Sequence, residues 1–412
     1  MTPPNAEPAP PISSGRPLLI LVIGYAAVAF NLRTLMSGLP PLRSDIVADL
    51  HLSNTAAGVL TTLPVLCMGL FAPPATRLGA RWGIARSVTI GTAVLAVGNL
   101  MRFAGAHPVA LYGGTLVAGT GIALVGTLLP GFVKSAFPAS RAGLATGIQM
   151  LAMMGGAAIA SAIAVPLASV LGAWPASLGM WGVIAVLGCL LWLPIDRRAH
   201  LASRTRRGLD PVVVAADHGL PWRSLTAWLV ALYLTLQSWQ FYSSLAWLAP
   251  TYVDQGWTAS SAGLLLALFT AAQFVSGLAA PWLSDQVRDW RVLLIGFAIT
   301  GLIGELGVAV APQHSAALWS TLIGLGQGAA FALGLVLLVR FARTPRASAL
   351  LTAMAFLVSY TLAAFGPTVM GRIRDVTGAF TSVWFVLAGV CVAQILVSLV
   401  TGPALPPVGE GR

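Results

Sequence analysis

The chain has 412 residues, of which 57% are hydrophobic and only 8% are charged, whereas a soluble domain carries about 25% charged residues. This composition excludes an ordinary soluble domain and indicates a protein that lies in a lipid bilayer. The three cysteines lie far apart with no CxxC pair, and the five histidines lack metal-ligand spacing. We therefore expect neither a metal site nor a cofactor.

In chain order, twelve apolar runs are each long enough to cross a bilayer as a helix, which requires about 20 residues. Charges or Pro and Gly turns bound each run, so we predict an all-α membrane protein. The predicted limits are 17–39, 54–74, 86–106, 108–132, 142–167, 174–194, 224–248, 259–281, 291–311, 314–339, 347–370 and 379–401.

One long hydrophilic stretch, 196–223, divides the predicted helices six and six. Its arginines make it a basic linker, which we expect to lie in the cytosol. The predicted organisation is therefore a cytosolic tail over 1–16, a first bundle over 17–195, this linker, a second bundle over 224–402 and a cytosolic tail over 403–412.

Basic residues are distributed unevenly between the two sides of these helices. If the N-terminus is cytosolic, eighteen of the 23 Lys and Arg residues lie in cytosolic loops or tails. Only Arg43, Arg372 and Arg374 then lie outside, while Arg33 and Arg102 lie within spans. This asymmetry predicts a cytoplasmic (inner) membrane protein with both termini in the cytosol. It also excludes nucleic acid as a partner, because the positive charge lies beside anionic lipid.

The two halves resemble each other at an offset of roughly half the chain. Leu144-Ala145-Thr146 corresponds to Leu350-Leu351-Thr352, and Gly172-Ala173-Trp174 corresponds to Gly378-Ala379-Phe380. Such pairs keep their order along both halves, which indicates a duplication. Two six-helix repeats are typical of a transporter whose substrate site lies near the membrane midplane between the halves.

Arg33 lies well inside the first apolar run, where an arginine costs about 2.5–3.5 kcal/mol on insertion scales. A protein partner, a water-filled cavity or an anionic ligand must offset that cost. On a helix, Arg33 shares a face with Ala26, Ala29, Phe30 and Ser37, mostly small residues that leave room beside the guanidinium. A fixed cation with several N–H donors suits an anionic substrate. The alternative is a structural arginine that is bonded to backbone carbonyls.

The seventh predicted helix carries a polar and aromatic stripe. Its members are Gln237, Gln240, Phe241 and Ser244, with Tyr242 beside them. Such a stripe either lines a cavity or joins helices by hydrogen bonds. By the repeat, this helix corresponds to the one with Arg33, so both are expected to line one cavity. Single polar residues on the fifth, eighth, tenth and eleventh helices are further candidates for substrate contact: Gln149, Gln273, Gln327 and Tyr360.

Two more ionisable groups lie in the predicted spans. Arg102 is near the outer end of the third span, where we expect it to extend to the membrane interface in a structural role or to attract anions. Glu305 is the one acid within a span, and a packing role competes with a proton-carrying role for it.

The six-plus-six plan resembles the major facilitator superfamily over the whole chain. That family carries a Gly-x-x-x-Asp-Arg-x-Gly-Arg-Arg signature after its second helix, where charge pairs lock the halves. This chain has Gly79-Ala80-Arg81 there, without the acid, while the copy in the second half keeps Asp285 and Arg288. The resemblance implies gating roles for Arg81, Asp285 and Arg288, with charge pairs favoured in the second half.

Within that superfamily the chain is similar to the branch of cyanate and 2-nitroimidazole transporters. The residues that carry the similarity include Asn31-Leu32-Arg33, Thr61-Thr62-Leu63-Pro64, Leu129-Pro130-Gly131 and Gly366-Pro367. The chain departs from the branch at 356–360, where Gln and Gly are usual.

These observations predict a secondary transporter and not an enzyme, since no Walker loop or catalytic constellation occurs in the spans. The expected substrate is a small anion such as cyanate, held by Arg33. The alternative is export of a compact neutral heteroaromatic such as a 2-nitroimidazole, or of another drug. A non-transporting sensor is a rival class, although both tails and the linker are short for a signalling domain. We expect a monomer.

A cytosol-negative potential opposes anion entry by about 2.3 kcal/mol per charge per 100 mV. Uptake of an anion would therefore require a coupling proton, a counter-ion, exchange or a protonated substrate. Export of an anion would be electrically favourable.

Overall fold

The computed structural model describes residues 16–136, 142–205 and 220–408, which are helical almost throughout. The α-helices there are α1 (Arg16–Ser37), α2 (Arg43–Leu50), α3 (Asn54–Trp82), α4 (Ile84–Met101), α5 (Pro108–Ala136), α6 (Ala142–Leu171), α7 (Trp174–Thr205), α8 (Leu225–Asp254), α9 (Ala259–Gln286), α10 (Arg291–Val310), α11 (Ala316–Arg340), α12 (Pro345–Ala363), α13 (Gly366–Thr377) and α14 (Phe380–Val400). The N-terminal tail up to residue 15, the linker over 206–219 and the last four residues lie outside the described ranges.

Within the described ranges, eleven helical segments are long and apolar enough to cross a membrane. The helix that falls outside this set is α8, whose amide and hydroxyl side chains lower its hydropathy. It is nevertheless buried over most of its length among other helices, so protein and not lipid surrounds its polar groups. With α8 counted, and with α12 and α13 forming one interrupted span, the prediction of an all-α protein with twelve membrane helices is confirmed.

Several helices begin where a hydroxyl side chain caps the first turn. Ser53, Ser224 and Thr258 each accept a hydrogen bond from the backbone N–H three residues ahead, which satisfies one of the unpaired donors of that turn. The helix ends extend beyond the apolar runs: α3 continues to Trp82 and α7 to Thr205. Hydropathy marks the membrane-crossing part of a helix and not its end, because a helix can continue into water.

The two halves repeat one packing scheme. In the first half, α4 packs against α5 and α7, and α1 packs against α6. In the second half, α10 packs against α11 and α14, and α8 packs against α12. These are corresponding pairs in the repeat, so the predicted pair of pseudo-symmetric bundles is confirmed.

The halves meet along α6 with α9, and along α3 with both α12 and α13. Backbone approaches closely at the end where α3 begins and α13 ends. A Cβ placed on Gly58 would lie 2.5 Å from the Pro367 carbonyl oxygen, and one on Gly371 would lie 2.4 Å from that of Asn54. We call this end, with Asn54 and Gly371, the sealed end. The opposite end, where α7 ends at Thr205, is the linker end.

Part of the predicted C-terminal tail packs on the second half at the linker end. After α14 the chain turns back, and the Val408 N–H donates to the Phe341 carbonyl at 2.6 Å. The Thr226 hydroxyl donates to the Pro406 carbonyl at 2.8 Å. These bonds fix residues up to 408 against the start of α8 and the end of α11.

Candidate functional site

Arg33 on α1 points from the first half towards the second. Its guanidinium carbon lies 5.0 Å from the ring centroid of Phe241 on α8, within the range of a cation–π contact. The Tyr242 hydroxyl also lies close enough to interact with this guanidinium. The half-buried Arg33 is thus held at the boundary between the halves.

An aromatic cluster from three helices of the second half surrounds this position. It comprises Phe241 and Tyr242 on α8, Phe269 on α9 and Tyr360 on α12. The rings of Phe241 and Phe269 stack at 6.2 Å, and those of Tyr242 and Tyr360 meet edge to face at 6.4 Å. The predicted site residues Arg33, Tyr242 and Tyr360 therefore lie together, while Phe269 lacked any signal in the sequence.

The charge of Arg33 is not neutralised by an acid in the described part of the chain. Among the described residues, none of the ion pairs includes Arg33. Its Nη1 atom is buried and has no hydrogen-bond partner there. The alternative, a structural arginine bonded to backbone carbonyls, does not account for this unpaired Nη1 donor. Leaving a buried charged donor unpaired is costly, so this N–H group would be stabilised by an acceptor.

The glutamines of the α8 stripe bind one another inside the second half. Gln237 donates to the Gln327 side chain at 3.3 Å, Gln327 donates to Gln240 at 3.0 Å, and Gln240 donates to Gln394 at 2.7 Å. This amide chain connects α8, α11 and α14. These amides thus join helices by hydrogen bonds. Substrate binding by Gln237, Gln240 or Gln327 stays a prediction. Gln394 was missed, since one amide in an apolar run carries no positional signal.

The other two predicted amides lie apart from this chain. Gln149 on α6 accepts a hydrogen bond from the Tyr25 hydroxyl of α1 at 2.7 Å, which joins two helices of the first half. Gln273 on α9 is buried, and its Nε2 atom has no partner among the described residues. Gln273 thus resembles Arg33 in holding an unused buried donor.

The predicted gating residues lie at the linker end. Asp285 pairs with Arg340 at 2.9 Å, and Arg340 also stacks over the Trp290 ring at 5.1 Å. Arg81 and Arg288 are exposed, and neither belongs to an ion pair in the described part of the chain. Asp289 and Arg291 form a second, half-buried ion pair at this end. Hydrogen bonds from Arg291 lower the pKa of the Asp289 carboxyl.

Two buried ionisable groups lie away from Arg33. Arg102 is fully buried, so the expectation that it extends to the membrane interface is wrong. It follows α4 in a short turn, and its Nη1 donates inward to the Leu35 carbonyl at 3.5 Å and to Asn99 at 3.4 Å. Glu305 on α10 is also fully buried, and neither of its carboxyl oxygens has a hydrogen-bond partner among the described residues.

One carboxylate of the second half caps a helix of the first half at the sealed end. Asp375 on α13 accepts from the backbone N–H groups of Asn54 at 2.9 Å and Thr55 at 2.8 Å, which open α3. It also accepts from both of their side chains, at 2.7 and 2.5 Å. A carboxylate at a helix N-terminus is favoured by the helix dipole. Nearby, the hydroxyls of Thr62 and Thr368 bond across the same seam at 2.7 Å.

A family profile described as the Major Facilitator Superfamily matches residues 21–255. The chain belongs to this superfamily. It is therefore a multi-pass membrane transporter that moves a small molecule. The family and the relatives are transporters and not enzymes.

Two curated relatives match almost the whole chain. A 2-nitroimidazole transporter of Escherichia coli is 35% identical over 94% of this chain and 95% of its own length. The cyanate transport protein CynX of Escherichia coli is 29% identical over 95% of this chain and 98% of its own length. The resemblance to the branch of cyanate and 2-nitroimidazole transporters is thereby confirmed.

A solved structure shares the fold. It is a bacterial homolog of the human lysosomal transporter Spinster in an inward-facing and occupied conformation, with a TM-score of 0.72. The alignment covers 94% of this chain and 96% of that one at 14% identity, so the likeness shows the fold alone.

Proposed function

We propose that this protein is a secondary transporter that moves a small anion, of the size and charge of cyanate, across the cytoplasmic membrane by alternating access. Arg33 holds the anion between the two halves. The observation that carries the proposal is the uncompensated guanidinium, which faces the second half with a buried N–H group that has no acceptor among the described residues.

The surroundings of Arg33 favour a compact, weakly hydrated anion. The aromatic rings of Phe241 and Phe269 exclude water from one side of the guanidinium, which strengthens its attraction for a negative charge. The Tyr242 hydroxyl adds a polar group beside the guanidinium. The buried amide of Gln273 and the Tyr360 side chain are proposed as further contacts, together with Gln149, Gln237, Gln240 and Gln327.

The sealed end is proposed to face the outside of the cell, with the linker end and both termini in the cytosol. The distribution of arginines supports this orientation. Cross-half hydrogen bonds of Asp375 and Thr62 join the halves at the sealed end, whereas the described charge pairs at the linker end stay within the second half. An anion bound at Arg33 would then exchange with the cytosol, and Arg81, Asp285 and Arg288 would act as gating residues there.

A neutral heteroaromatic of the 2-nitroimidazole class is the second candidate substrate. The aromatic cluster around Arg33 supports it, because stacked rings and a cation suit a flat ring with a polar nitro group. The two candidates differ in one measurable respect. In the absence of a coupled proton or counter-ion, transport of an anion carries charge across the membrane, whereas transport of a neutral ring does not.

The test is counterflow of labelled substrate in vesicles that contain the purified protein, together with thermal stabilisation by cyanate and by 2-nitroimidazole. We expect cyanate exchange in the wild type and at least a tenfold loss of cyanate affinity in Arg33→Gln, because a charge-assisted hydrogen bond is removed. Arg372→Gln removes an exposed charge from α13 and serves as the matched control.

Unchanged cyanate affinity in Arg33→Gln would place the anion elsewhere. Stabilisation by 2-nitroimidazole without any response to cyanate would favour the second candidate. Binding of a ligand without exchange of that ligand would instead indicate a sensor.

A further inference from the structure

A cavity of about 160 Å³ lies at the sealed end between the two halves, separate from the position of Arg33. Arg43, Ser44 and Asn54 line it from the first half, and Asp254, Arg374 and Phe380 line it from the second. A water molecule occupies about 30 Å³ in the liquid, so the cavity has room for roughly five waters, or for a small anion with a few waters.

Each half contributes one guanidinium that lies over an aromatic ring. Arg43 lies 4.5 Å from the ring centroid of Trp247, which belongs to the second half, and Arg374 lies 4.7 Å from that of Phe380. Stacking uses the faces of a guanidinium and leaves its N–H groups, which lie in the plane, for hydrogen bonds. Both cations are therefore oriented before any ligand arrives.

The hydrogen bonds of these two arginines are incomplete. One end of Arg43 donates to the Asn54 side chain, and one end of Arg374 pairs with Asp254 at 3.0 Å. The Nε atoms of both arginines are buried and lack partners among the described residues. Two residues that line the cavity, one from each half, thus each hold an unused N–H donor.

The charges that line the cavity do not cancel. Two guanidiniums face it with one carboxylate, that of Asp254. The other nearby acid, Asp375, attracts Arg43 but does not line the cavity, and its oxygens already accept four hydrogen bonds from Asn54 and Thr55. Arg43 and Arg374 also repel each other electrostatically. A negative charge between them would relieve this repulsion and supply the missing acceptors.

We propose that this cavity binds a small inorganic anion, which bridges Arg43 of the first half and Arg374 of the second and so stabilises the closed state of the sealed end. The site is distinct from Arg33 and does not depend on what the protein transports. An anion that binds both halves together binds the closed state better than the open state, so it shifts the conformational equilibrium towards closure.

The experiment uses chloride as the probe and gluconate, which is too large for the cavity, as the replacement anion at constant ionic strength. Spin labels on Ala48→Cys and Val376→Cys, both exposed at the sealed end, report the distance across the seam after the native cysteines are replaced. We expect chloride to increase the population with the short distance. Thermal stabilisation by chloride in Arg33→Gln, which lacks the central cation, provides an independent titration of the same site.

The variants separate this site from the central one. Arg43→Gln and Arg374→Gln should each raise the chloride concentration at half-effect at least tenfold. Arg372→Gln, on the same helix as Arg374 but exposed, should match the wild type, and so should Arg33→Gln. If Arg43→Gln fails to fold, Arg374→Gln alone decides the result.

A chloride effect that persists in Arg374→Gln would overturn the proposal, and so would a wild-type protein in which chloride leaves the distance unchanged. Loss of the chloride effect in Arg33→Gln alone would also overturn it, because the anion would then act at the central site. These outcomes can be interpreted even if the protein does not transport cyanate, because none of them depends on a transport measurement.

Discussion

Arg33 shows how far single residues can be interpreted from sequence. Its depth in an apolar run marked it as an uncompensated charge, and the structure leaves its Nη1 atom without a described partner. Its aromatic neighbours were harder to anticipate. Phe269 and Tyr360 come from helices more than 200 residues away in the chain, and helical periodicity gives the face of a residue but not the helix that faces it.

The same reasoning was less successful for charged residues at helix ends. In the sequence, Asp375 lies between two predicted spans, 347–370 and 379–401. Acids are common between spans, so nothing in the sequence distinguishes it. Its role depends on α3 of the other half beginning directly beside it. Arg102 differs from its predicted position for a related reason, because nearness to a helix end does not determine whether a side chain reaches the interface or turns inward.

Glu305 provides a test at the scale of one residue. Its carboxyl oxygens are buried without described partners on α10, which packs against α11 and α14 away from Arg33. An ionised carboxylate there would cost several kcal/mol, so an amide of the same shape should be tolerated. We expect Glu305→Gln to melt at the same temperature as the wild type or higher, and to keep its transport rate and pH profile. A folded variant whose transport is lost would instead assign Glu305 a proton-carrying role.

At the scale of helices, hydropathy predicted where the chain crosses the membrane but not how each polar face is used. The α8 stripe was expected to line a cavity, yet its glutamines bond to Gln327 and Gln394 within the second half, while Phe241 and Tyr242 face Arg33. Two faces of one helix therefore serve different purposes. The order of residues along a helix leaves open which of two polar faces meets a neighbour.

The contact of α3 with α13 provides a test at this scale. A methyl group on Gly58 would lie 2.5 Å from the Pro367 carbonyl oxygen, so the two helices would have to separate. Overpacking of this kind costs about 1–3 kcal/mol. We expect Gly58→Ala to shift the spin-label distance across the sealed end towards longer values.

Gly389→Ala on α14 is the matched control, because nothing lies within 4 Å of the added methyl group there. It should leave the distance unchanged. A Gly58→Ala variant with the wild-type distance distribution would contradict the close contact between α3 and α13 at Gly58.

At the scale of the whole molecule, the fold was largely predictable. Length, hydropathy and the internal repeat give twelve helices in two bundles, and corresponding helices pack alike in both halves. The conformation was not predictable, because both states of a transporter share one sequence and one set of spans. The position of the seam, and with it the sealed end, required the structure.

The orientation of the molecule in the membrane can be checked directly. We expect an impermeant maleimide to label Ala48→Cys in intact cells, because the sealed end faces outwards in the proposed topology. Gln286→Cys, exposed at the linker end, should react only after the cells are permeabilised. The reverse labelling pattern would invert the topology and place the basic loops outside.

The carboxylate of Asp375 links the opening of the molecule to its solvent. When the halves separate at this end, the N–H groups of Asn54 and Thr55 lose their acceptor and must be hydrated instead, as must the carboxylate itself. Opening is therefore a reaction that consumes water. We expect the equilibrium between the open and closed seam to depend on water activity. Osmolytes that are excluded from the protein surface should favour the closed seam, and so should loss of water from the cell.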